Sequence, residues 1–224
     1  MGEGILLLNK KQGQHSFHLV ATLRRLSGIR KIGHAGTLDP FATGVMVLLI
    51  GKDYTRQSHD FLNHSKAYEA TLKFGETTDT YDCDGVITST SPIIPTPTQV
   101  AETLSTFQGT TLQIPPMFSA KKVKGKRLYL LARQGIEIER APSEVTMEIT
   151  LLNYTYPTLT LRVACSKGTY IRSLAYDIGQ KLSCGAHLTA LHRIQSGPFH
   201  IEKCLEAHLL ETPHFDYKPY LVGQ

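Results

Sequence analysis

What this chain has little of limits it before any motif is read. Its four cysteines, Cys83, Cys165, Cys184 and Cys204, lie too far apart for a CxxC redox or zinc pattern and are too few for a secreted disulfide scaffold. They read as reduced thiols. Apolar runs such as Ile5–Leu8 and Val45–Ile50 fall far short of a membrane span or a signal-peptide core, so no membrane association is expected and the expected compartment is the cytoplasm. His59 and His64 have no partner at metal-ligand spacing, no glycine loop of the phosphate-cradling kind occurs, and neither a repeat nor a low-complexity tract is visible.

At 224 residues the chain can bury a sizeable core. Its 24 Lys and Arg against 19 Asp and Glu give a formal charge of +5, a modest lean toward polyanionic partners. The distribution says more than the sum. Lys121, Lys122, Lys124, Lys126, Arg127 and Arg133 share a short stretch without one acidic residue, whereas Glu76, Asp79, Asp82 and Asp84 gather in another. The basic stretch suits phosphate contact or a solvated face. The acidic one fails as a calcium loop, because Thr80 and Ser91 stand where an EF-hand needs acids.

The stretch that organises the rest is Gly33-His-Ala-Gly-Thr-Leu-Asp-Pro-Phe-Ala-Thr-Gly44, with Asp39 as its one carboxylate. Its glycines and Pro40 shape a loop, and the Val45–Ile50 run anchors it on a buried strand. Taken alone, Asp39-Pro40 also reads as an ordinary turn start. Around it, Gly4–Asn9 reads as a buried strand, Ser16 as the cap of a helix bearing Leu19, Val20, Leu23 and Leu26 on one face, and Lys52–Leu62 as a helix. Alternation over Ala67–Phe74 makes a strand with Tyr68 inward; an inward tyrosine is ordinarily core. Thr98 reads as the cap of a helix with Val100, Leu104 and Phe107. Val145–Leu151 and Leu159–Cys165 read as a hairpin around Tyr156-Pro157. A helix carrying Ile171, Leu174 and Ile178 follows, and a last helix is expected through Ile201, Leu205 and Leu209.

Six segments, in order, resemble the TruB family of tRNA pseudouridine synthases: Gly33–Gly44, Thr77–Gly85, Ile114–Lys122, Ser166–Arg172, Gly185–Ile194, and, more loosely, Leu8–Ser16. In the last of these Asn9, Lys11 and His15 replace the family's Asp, Pro and Thr, and His192 replaces an arginine in the L-R-R segment. The resemblance implies an α+β pseudouridine synthase fold: a long, mixed, mostly antiparallel sheet flanked by helices, with a central active-site cleft. It implies a catalytic domain over 1–195 with an RNA-gripping insertion at about 115–142, then a short helical extension over 196–224 with no room for a PUA domain.

It also implies roles. Asp39 is the nucleophile, Arg172 its charge partner, and Tyr68 stacks on the uracil and handles the C5 proton. Tyr170 and Leu191 wall the pocket, His34 fills the gap left by the flipped base, and Lys121, Lys122, Lys124 and Lys126 hold phosphates. The substrate implied is the T-loop uridine of tRNA, position 55. Neither cofactor nor metal is expected, and a monomer is. Two other readings stay open: a synthase acting on another RNA such as ribosomal RNA, and an RNA-folding chaperone.

Overall fold

The computed structural model describes residues 2–123 and 125–223, so Lys124 lies outside the described residues. Strand β1 (Gly4–Lys10), helix α1 (Ser16–Ser27), β2 (Ile32–His34), β3 (Thr43–Ile50) and the short helices α2 (Lys52–Arg56) and α3 (Ser58–Asn63) come first. Next are β4 (Lys66–Phe74), β5 (Glu76–Thr78), β6 (Ile87–Thr90), α4 (Pro97–Ser105) and β7 (Gly109–Gln113). The ribbon β8 (Lys122–Val123) and β9 (Lys126–Arg127) leads into α5 (Leu128–Ala132), β10 (Ser143–Thr155) and β11 (Thr158–Cys165). Helix α6 (Ile171–Lys181), β12 (Ala186–Ser196) and the short strands β13 (Phe199–His200), β14 (Leu205–Glu206) and β15 (Leu221–Val222) complete the order. The main sheet is mixed and mostly antiparallel, as expected of the class. Among the described residues, no helix is long and apolar enough to cross a membrane.

The chain forms two compact units, residues 1–68 with 191–224, and residues 69–190. In the first, β1 pairs antiparallel with β3 (Leu6 opposite Leu48) and with β15, and parallel with β14. Both faces of β1 and β3 are covered. Leu6, Leu8, Met46 and Leu48 pack with Leu19, Val20 and Leu23 of α1, while Ile5, Leu7, Val45, Val47 and Leu49 form a second cluster. Burial on both faces is why these strands read as unbroken apolar runs. The second unit holds the β10–β11 hairpin, β7 beside β10, and α6 with Ile171, Leu174, Ala175 and Ile178 buried.

Several local expectations are corrected. Ser16 does not cap α1: His15 holds that position without a side-chain bond, and the Ser16 hydroxyl is turned to Leu38. Thr96, not Thr98, caps α4, in a capping box with Gln99 and with Pro97 in the first turn. Lys52–Leu62 is two short helices, not one. The last helix is replaced by 3-10 turns at Ile201–Lys203 and Ala207–Glu211 around β14, because Leu205 pairs with Leu8 on β1. The apolar spacing of 201–210 serves a strand edge and a tight turn as well as it would an α-helix.

Asp177 of α6 sits half-buried, and burial pushes its carboxyl from the ordinary 3.8 up to about 6. The folded chain therefore holds a proton that the unfolded chain has released between those values, and stability drains as pH rises through the folded value. Asp177→Asn is expected to stabilise at pH 8 by about 1 kcal/mol, discounted for partial exposure, and by about half as much at pH 5. Thermal unfolding at the two pH values checks this; an equal gain at both contradicts it.

Candidate active site

The loop between β2 and β3 carries Asp39. It leaves the sheet after His34, which pairs with Leu48, and Ala35 still donates to the Val47 carbonyl at 3.0 Å. Ala42 donates to the Asp39 carbonyl at 3.1 Å, closing a tight turn over Pro40 and Phe41. Leu38, Phe41 and Ala42 are buried, so the backbone between them needs internal partners. The Ser16 hydroxyl supplies two, accepting from the Leu38 N–H at 3.0 Å and donating to the Leu38 carbonyl at 3.1 Å.

Lys10, 0% exposed, supplies another. Its Nζ donates to the carbonyls of Gln14 at 2.8 Å, Lys11 at 3.1 Å and Pro40 at 3.2 Å. Gly13 adds its N–H to the same Pro40 carbonyl at 2.8 Å. The residue following Asp39 is thus fixed from two sides. Two departures from the family's opening motif meet at one carboxylate: Asn9 donates to Glu206 at 2.8 Å, and Lys11, exposed, lies 3.7 Å from the same group.

His34, Asp39, Tyr68 and Leu191 belong to the first unit. Tyr68, on β4, and Leu191, on β12, are 9% and 7% exposed. The buried Nδ1 of His34 has no partner among the described residues. Burial, and secondarily the positive charge of Arg193, hold this imidazole below its ordinary range, so it is neutral at pH 7.

Lys121, Lys122, Lys126, Tyr170 and Arg172 belong to the second unit. Arg172, in the first turn of α6, is 5% exposed, so its guanidinium does not lie on the surface. Its Nη2 donates to the Phe118 carbonyl at 2.7 Å and its Nη1 to the Thr80 carbonyl at 3.0 Å, while Nε lies 3.5 Å from Asp82 Oδ2. Asp82 is oriented in turn by the Thr80 hydroxyl at 2.6 Å and the Asp84 N–H at 3.1 Å. Tyr81, between the two acceptors, takes a left-handed φ of 65° and stacks on Tyr176. The acidic loop is therefore a holder for an arginine.

Tyr170 occupies the cap position of α6, and the Gln113 side chain grips its peptide at both ends, donating to the carbonyl at 3.1 Å and accepting from the N–H at 2.8 Å. Ser173 donates to the Ile114 carbonyl at 2.9 Å, so β7 and its continuation are stitched to the start of α6. Sequence reasoning missed Gln113 and the role of Asp82. The closely spaced acids from Asp79 to Asp84 were the available signal for Asp82; Gln113 had none.

In the insertion, Lys122, Gly125, Lys126, Arg127, Leu130 and Gln134 line an open groove of about 470 Å³ together with Leu131. Lys122 and Lys126 are exposed there. Lys121 is not: it donates to the Ser143 hydroxyl at 2.6 Å and fixes the base of the insertion on β10.

Family comparison decides the kinship. Residues 24–171 match the model for the TruB family pseudouridylate synthase N-terminal domain, and residues 172–219 match that for the tRNA pseudouridylate synthase B C-terminal domain. The chain belongs to the TruB family. A relative from Protochlamydia amoebophila, named tRNA pseudouridine synthase B, is 57% identical over 94% of this chain and 80% of its own length. One of the same name from Chlamydia trachomatis serovar L2 is 54% identical over 98% of this chain and 91% of its own. Among solved structures, a chain of a Cbf5-Nop10-Gar1 complex is 27% identical with a TM-score of 0.73, covering 96% of this chain and 55% of that one. A chain of an archaeal box H/ACA sRNP Nop10-Cbf5 complex is 26% identical with a TM-score of 0.68, covering 93% and 53%. This TruB chain thus spans about half the length of those two.

Asp82 and Arg172 are each 6% exposed at the side chain, so replacing the Asp82 carboxylate takes one charged partner from a buried guanidinium. Asp82→Asn is expected to destabilise by about 3 kcal/mol, read as a lowered midpoint in urea. An unchanged midpoint would show that Arg172 does not depend on that carboxylate.

Proposed function

We propose that this chain isomerises uridine to pseudouridine in tRNA, at the T-loop uridine of position 55, with Asp39 as nucleophile. The observation that carries this is the 57% and 54% identity, over almost the whole chain, to relatives named tRNA pseudouridine synthase B. Asp39 lies on a loop held by Ser16 and Lys10, which supports its role, since a nucleophile acts only when its approach is fixed.

The reaction breaks the N1–C1′ bond, turns the detached uracil and joins C5 to C1′; the C5 proton leaves and N1 gains one, so the product is an isomer. Asp39 attacks as a carboxylate. Tyr68 stacks on the uracil and takes part in moving the C5 proton. Arg172, already fixed by two carbonyls and Asp82, is the cation of the site, and Tyr170 and Leu191 are its walls.

Reaching a T-loop base requires flipping it out of its stack. His34 fills the vacated space, and its neutral imidazole enters a base stack without bringing a charge. Lys122, Lys126 and Arg127 in the groove of the insertion hold phosphates and make affinity fall with salt. The same reading places the work in the cytoplasm.

The test maps pseudouridine at single-nucleotide resolution after incubating an unmodified tRNA transcript with the wild type or with Asp39→Asn. The expected result is a T-loop signal from the wild type and a rate lower by at least about 10³-fold in the variant. Binding of the transcript without any product would favour the chaperone reading, product only on ribosomal RNA would change the substrate, and an active variant would remove Asp39 from its role.

A further inference from the structure

We propose that Arg193 is a positioning residue for the reaction: its guanidinium, sealed inside the first unit, closes the Asp39 loop by gripping backbone carbonyls on both sides of that aspartate. The proposal rests on the assignment of Asp39 as nucleophile.

Arg193 is 1% exposed, and a guanidinium so buried must find acceptors for its donors. Among the described residues, all of those it finds are neutral. Nε donates to the Val45 carbonyl at 2.7 Å, Nη2 to the Gly36 carbonyl at 3.2 Å, and Nη1 to the Thr37 carbonyl at the longer distance of 3.4 Å. Nη2 also points to Met46 Sδ at 3.8 Å. Gly36 and Thr37 lie on the chain entering Asp39, and Val45 lies on the chain leaving it. One rigid fork therefore spans entry and exit, a geometry that a lysine's single ammonium cannot reproduce.

The main chain of Arg193 fixes the exit a second time. His192 and Arg193 pair in parallel with Thr43 and Gly44, and the Thr43 hydroxyl and His192 Nδ1 lie 2.8 Å apart. Gly44, at φ 106°, is pressed so close that a Cβ there would clash with the Arg193 carbonyl oxygen. Packing alone would favour an apolar side chain at such a site, because a buried charge without a carboxylate partner is costly. What the arginine adds is a defined loop geometry. Its field also reaches the loop's start, where it contributes to keeping His34 neutral.

Arg193→Met and Arg193→Lys separate positioning from packing. Replacing a buried charge with an apolar chain of similar length is often neutral or stabilising, so a packing role makes the methionine variant at least as active as the lysine one. Positioning predicts the reverse. In Arg193→Met the single-turnover rate on a tRNA transcript is expected to fall on the order of 10²-fold while tRNA Kd stays within about threefold and the protein stays folded at the assay temperature, with Arg193→Lys in between.

A folded Arg193→Met with a rate within about threefold of wild type overturns the proposal, as do two variants that both fail to fold, which would make Arg193 a fold residue. Amide exchange reads the clamp without activity. Residues 36–45 are expected to exchange faster in Arg193→Met while β1 stays protected, and unchanged exchange there overturns the clamp even if the wild type proves inactive. A fully active Asp39→Asn would instead strike the nucleophile assignment and leave the exchange result standing.

Discussion

The backbone carbonyls around Asp39 point inward, and every one that is buried must be met by a donor. That requirement governs the first unit. A loop rich in glycine and proline cannot satisfy itself, so the protein brings two cations inside to do it. Lys10 takes the Pro40 carbonyl just after Asp39, and Arg193 takes those of Gly36 and Thr37 before it and Val45 beyond it. Both side chains are almost wholly sealed from water, at 0% and 1% exposure. Desolvating them is tolerable because each meets several well-placed oxygens, and the apolar β1–β3 pair beneath gives those oxygens a rigid base.

The second unit applies the same device to Arg172. Two carbonyls and the carboxylate of Asp82 receive its guanidinium, and the Gln113 amide stands in for backbone at the start of α6. The strained Tyr81 between Thr80 and Asp82 follows from aiming both groups at one arginine. In each unit buried cations are held largely by backbone oxygens, Lys10 and Arg193 in the first and Arg172 in the second.

That explains what could be read from the sequence. The Asp39 loop was legible because glycine and proline mark shaped backbone, and β1 and β3 because doubly buried strands lose their alternation. The strand faces of Ala67–Phe74 and Leu159–Cys165 followed from period two. The TruB resemblance located Arg172, yet its grip by Thr80 and Phe118 was invisible, since carbonyls carry no residue type. Ser16 misled for a related reason: a serine before a helical stripe looks like a cap, and only the tertiary approach of Leu38 claims its hydroxyl. Lys121 looked like its neighbours in composition, but Ser143, distant in sequence, removes it from the exposed set.

The central claim is that a carboxylate on this clamped loop isomerises a T-loop uridine. Its most direct measurement uses a tRNA transcript labelled with tritium at C5 of its uridines and follows label released to water under single-turnover conditions. The account predicts release of one uridine's label per tRNA by the wild type, at a rate matching pseudouridine formation. Tight binding of the transcript with no tritium released would contradict it.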